Sequence, residues 1–84
     1  MITPDMKCPE DLPEVIFSAF KAYVFERRPV GHFVTACLEN NFGDAVCRAD
    51  ASNYKALRRI AQFIHCDMPR DCHGSREKVQ EWLA

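Results

Sequence analysis

Residues 13–26 read Pro-Glu-Val-Ile-Phe-Ser-Ala-Phe-Lys-Ala-Tyr-Val-Phe-Glu. Proline suits the first turn of a helix, and Asp11 and Glu14 sit near its positive end. Arg27 and Arg28 complement the other end, and Pro29 stops the helix, which is predicted over residues 13–27. At about 100° per residue, Val15, Ile16, Ala19, Phe20, Tyr23 and Val24 gather on one side, with Phe17 at its margin. Phe25 falls on the opposite side, among Glu14, Ser18 and Lys21. A chain of 84 residues has one small core and cannot easily cover a helix from both sides. The surplus apolar surface predicts a second chain or a bound partner, with Phe17 and Phe25 as contacts.

Working outward, Gly31 allows a corner into a short helix over residues 32–39, with Phe33, Val34, Cys37 and Leu38 inward. Asn40 and Asn41 end it, because asparagine tolerates left-handed backbone. A further turn over residues 43–49 is expected to direct Phe42, Ala45 and Val46 into the core. Asp50 or Ser52 caps the next helix, which runs to Cys66. Leu57, Ile60, Ala61 and Ile64 form its buried side, while Lys55, Arg58, Arg59 and Gln62 line the other. Pro69 closes this segment. Ser75 caps a last helix with Val79, Trp82 and Leu83 facing in. Residues 1–9, with Pro4 and Pro9, read as an arm prone to fraying, and residues 10–84 as a single helical domain. No hairpin signal or internal repeat appears. The expected fold is all-α, a small bundle of four to five short helices. The expected core is Ile16, Phe20, Tyr23, Phe33, Leu38, Val46, Leu57, Ile60, Ile64 and Trp82.

The charge balance is 11 basic against 12 acidic side chains, a net −1, which speaks against a dedicated nucleic-acid binder. No stretch approaches the roughly 20 apolar residues that a membrane helix needs. The start of the chain lacks the basic and apolar regions of a signal peptide, so a cytoplasmic location is expected, in the host cell if the gene is viral. Five cysteines, an odd count without a secretion signal, predict reduced thiols. Cys37 and Cys47 look like small buried hydrophobes; Cys8, Cys66 and Cys72 lie near segment ends and stay open to chemistry.

Several clusters bear on function. His65-Cys66 and Cys72-His73 place four metal-capable side chains close together, yet the five intervening residues miss the usual zinc spacing, and adjacent ligands rarely point at one ion. The expectation is no metal and no cofactor. Cys72 beside His73 is not a nucleophile–base pair by adjacency, and a cleft with an oxyanion hole is hard to build here, so no enzyme is expected. Gly74-Ser75-Arg76 at a helix start, and the corner after Arg27 and Arg28, are candidate anion sites. Lys55, Arg58 and Arg59 form a basic stripe able to meet an acidic partner.

Arg28-Pro29-Val30-Gly31-His32-Phe33, Leu38-Glu39-Asn40-Asn41, Ala45, Arg48-Ala49-Asp50 and Asn53 form one set of positions. Pro69, Cys72-His73-Gly74-Ser75, Glu77-Lys78-Val79 and Trp82-Leu83 form another. Together they resemble a group of small accessory proteins from tailed bacteriophages and prophages. That resemblance implies a protein that binds and inhibits a host protein, such as a CRISPR or other antiviral defence component, without enzymatic activity; the surplus apolar surface of the first helix adds the expectation of a homo-oligomer. The resemblance also leaves open a sponge that sequesters an anionic nucleotide between subunits through Arg27, Arg28, Arg58, Arg59 and Arg76. A small nucleic-acid binder is the remaining alternative.

Overall fold

The computed structural model describes residues 1–84, and the chain is all-helical. Helix α1 spans Glu14–Glu26, α2 His32–Leu38, α3 Phe42–Arg48, α4 Ala51–Asp67 and α5 Arg76–Leu83. A single 3-10 turn, Arg70–Cys72, separates α4 from α5. No helix is long and apolar enough to cross a membrane.

Side-chain caps set three helix starts. The Asp50 carboxylate accepts from Asn53 N–H at 2.8 Å, and the Ser75 hydroxyl accepts from Lys78 N–H at 3.2 Å. Asn41 accepts from Asp44 N–H at 3.3 Å. Asn40 adopts left-handed backbone, φ 63°, so the chain turns from α2 into α3 within three residues. Arg27 ends α1 in the same left-handed region, φ 54°, a place where glycine is usual.

The centre of the core is aromatic. Phe20 of α1 stacks on Phe63 of α4, with ring centroids 5.6 Å apart and planes within 3°. Phe17 meets the same Phe63 edge to face at 5.9 Å. Ile60, Ile64, Leu38, Cys37 and Cys72 are also fully enclosed. One turn further along the buried arc of α1, Tyr23 packs near Trp82 of α5 and donates from its hydroxyl to the Cys72 carbonyl at 2.6 Å. Burial raises the Tyr23 hydroxyl above the ordinary tyrosine range, so it is a neutral donor at every physiological pH.

The packing changes several expectations. The buried arc of α1 is Ile16, Phe17, Phe20, Tyr23 and Val24. Phe17 is therefore core rather than marginal, because Phe63 draws that edge inward. Val15, expected on the buried side, is instead 81% exposed. Val46, expected inward together with Ala45, is 44% exposed, and only Ala45 of the two is buried. Leu57 and Trp82 are half-buried rather than enclosed. Cys47 is exposed, not buried, whereas Cys72 is buried and its thiol is pushed up to about 11 by desolvation. Cys8, also expected to be open to chemistry, is half-buried and likewise raised by desolvation.

The N-terminal segment is docked rather than frayed. Ile2 is buried, its N–H donates to the Asp67 carbonyl at 2.7 Å, and the Met1 amino group pairs with the Asp67 carboxylate at 3.1 Å. These contacts join residues 1–2 to the C-terminal end of α4.

Candidate functional site

Two features of the surface stand apart from the folded core. The first is the outer side of α1. Val15, Ser18, Ala22 and Phe25 follow a 3-4-3 spacing, which places them within an arc of about 80°. Val15 and Ser18 are exposed, Ala22 is half-buried and Phe25 is 41% exposed. Glu14 and Lys21 flank one edge of this stripe and Glu26 the other. The stripe runs about 15 Å along the helix.

The sequence-predicted contacts around it divide. Phe25 remains available, and Phe17 does not, being 4% exposed beneath Phe63. On α4, Lys55 and Arg58 are exposed and form no ion pair. Arg59 is occupied: its Nε donates to Asp11 at 2.9 Å, and its guanidinium lies over the Phe63 ring at 5.8 Å. It ties the segment before α1 to α4 and is withdrawn from the basic stripe.

The candidate anion residues also divide. Arg27 stacks on Trp82 at 3.6 Å and donates from Nη1 to the Trp82 carbonyl at 2.8 Å. Trp82 in turn donates from its indole N–H to the Tyr23 carbonyl at 2.9 Å. This latch closes α5 onto the end of α1. Arg28 pairs with Glu26 at 3.0 Å across an exposed surface. Ser75 uses its hydroxyl as a cap, and Gly74 holds φ +115° while its N–H donates to the Leu38 carbonyl at 2.8 Å. That positive φ is the physical reason for glycine at this turn. Arg76 is exposed and makes no ion pair. The five arginines proposed to share one nucleotide thus include three already engaged within their own chain.

The second feature is a cavity of about 360 Å³ beside the Pro69 turn, lined by Met1, His65, Cys66, Met68, Arg70 and His73. The turn folds the chain back so that the rings of His65 and His73 meet edge to face, with centroids 5.3 Å apart. His73 is 8% exposed, and its Nδ1 is buried without a hydrogen-bond partner. Burial pushes its pKa below the ordinary histidine value, and positive charge on His65 and Lys78 adds to that effect; the Met68 carbonyl pulls the other way. Of the four metal-capable side chains, His65, Cys66 and His73 line this cavity, whereas Cys72 faces the core. No set of three His, Cys, Asp or Glu side chains converges on a metal position.

Sequence spacing singled out the segment 65–73 but not the meeting of its two imidazoles, which depends on the direction of the chain reversal. Arg70 was missed: an isolated arginine in a polar loop carries no pattern of its own. Comparison of this chain with protein-family models, curated proteins and solved structures returned no match.

Proposed function

We propose that this protein is a non-enzymatic, phage-type accessory protein that binds and inhibits a host protein through the outer side of α1. The observation that carries the reading is the exposure of Val15 and Phe25 on a helix whose opposite side already fills the core. Large apolar side chains left on one side of a helix recover their transfer free energy only when a partner covers them. Phe25 supplies the aromatic anchor, Val15 and Ala22 the adjoining apolar area, and Arg58 and Lys55 on α4 offer polar contacts to an acidic partner surface. Homo-oligomer formation is part of the proposal: a second copy covers the same stripe until the host protein displaces it.

Phe25→Asp tests it. The substitution places a charge at the C-terminal end of the stripe, on its aromatic anchor, without disturbing the core. It is expected to reduce host-protein capture by the tagged chain at least about tenfold and to lower the solution mass measured by light scattering, with the helical circular dichroism unchanged. An unchanged mass together with undiminished capture of the same partner refutes the proposal.

A further inference from the structure

We propose that the cavity at the Pro69 turn binds the phosphate group of a small molecule, held by His65, Arg70 and His73. This inference does not rest on the contact function of α1. It begins from the Nδ1 of His73, a buried polar atom without a partner. Such atoms are few in folded proteins, and each calls for an explanation. The ring of His73 lies in the wall of the one cavity of the molecule, and its enclosed Nδ1 meets a ligand there once the ring turns toward it.

The charge around the cavity selects the ligand class. His65, Arg70 and His73 line it, and Lys78 folds back over Gly74, where an added Cβ would meet its Nζ at 3.9 Å. No carboxylate is among the residues that line it, and Asp67, beside Cys66 and Met68 in the chain, is paired with the Met1 amino group. The local excess is therefore positive although the whole chain carries −1. Without an anion, these groups oppose protonation of His73; a bound dianion reverses that repulsion and lets both imidazoles donate. Arginine presents a planar fork that matches two oxygens of a phosphate.

A metal fits less well. A guanidinium shares the cavity, and Cys66, which also lines it, does not converge with the two rings on one metal position. The floor is apolar: Met68 is buried and offers its thioether chain to the organic body of an ester. The volume of about 360 Å³ lies near the lower end of the roughly 300–1,000 Å³ typical of small-molecule sites, which suits a phosphate ester of mononucleotide size or smaller.

The test uses the full chain, with imidazole resonances of His65 and His73 followed by NMR and affinities measured by calorimetry. Three probes are titrated: inorganic phosphate, adenosine 5′-monophosphate and adenosine. Phosphate and the monophosphate are expected to shift both ring systems, and Arg70→Ala to weaken each by about tenfold. Arg70 is exposed, so this variant keeps the fold; His73→Gln should abolish the response but removes a buried ring. Tighter binding of the monophosphate than of phosphate assigns an ester ligand, and equal affinity assigns free phosphate. The proposal is overturned if neither probe moves the rings at about 10 mM. It is also overturned if adenosine binds as well as its monophosphate, if Arg70→Ala changes nothing, or if Zn²⁺ perturbs both rings while phosphate does not.

Discussion

Replacing Arg27 separates two opposing terms at the end of α1. The residue holds a left-handed conformation, which costs a residue with a Cβ about 1 kcal/mol or more relative to glycine. Against this stand the stacking on Trp82 at 3.6 Å and the hydrogen bond to the Trp82 carbonyl. At an exposed position a cation–π contact is worth about 0.5–1 kcal/mol, and the hydrogen bond contributes about as much. Arg27→Ala keeps the backbone cost and loses both contacts, so a loss of about 1–2 kcal/mol is expected. Arg27→Gly also loses the contacts but relieves the backbone, and should be more stable than the alanine variant by about 0.5–1 kcal/mol. Arg27→Lys retains the charge near the helix end but not the planar stack, and should fall between wild type and alanine. Urea denaturation with a common m-value measures all three. For a domain of this size each kcal/mol corresponds to about 4–8 °C in Tm. An alanine variant within about 0.5 kcal/mol of wild type refutes the latch, and a glycine variant no better than alanine refutes the backbone argument.

Tyr23→Phe deprives the buried Cys72 carbonyl of its 2.6 Å donor and should cost about 1–3 kcal/mol in urea denaturation, with the helical signal retained. Because the native state holds His73 below its ordinary value, the unfolded chain binds the proton first as pH falls; stability is intact above about pH 6.5 and declines below it. Tm should therefore drop between pH 7.5 and pH 5.5, and His73→Gln should flatten that slope; an identical slope in the variant assigns the loss to other groups.

Local signals were legible wherever one residue and its own backbone decide the outcome. Asp50 and Ser75 cap the helices expected of them, and Asn40 takes the left-handed turn, because each depends only on atoms a few residues away. The all-helical class followed from periodicity and from the absence of hairpin chemistry. Orientation was less legible. Periodicity states which residues share a side of α1, but the direction of that side is set by Phe63, more than forty residues away. A rotation of the helix toward Phe63 buries Phe17 and turns Val15 outward. The same limit governs the cations. Arg59 finds Asp11 and Arg27 finds Trp82 only after the chain has folded, so a basic residue read as free in the sequence becomes a tertiary tie.

The division of charged side chains between ties and open positions makes the two proposed sites separable by experiment. Phe25 projects from α1 on the side away from Tyr23, whereas the cavity is reached through the Pro69 turn, which Tyr23 braces from within. Arg70 and Phe25 are both exposed and share no side-chain hydrogen bond, ion pair or ring contact, so their substitutions should act additively. Phe25→Asp is then expected to leave phosphate affinity unchanged while abolishing partner capture, and Arg70→Ala to do the reverse. If either variant impairs both activities, the two surfaces serve one binding event, with the phosphate-bearing molecule and the protein partner recognised together.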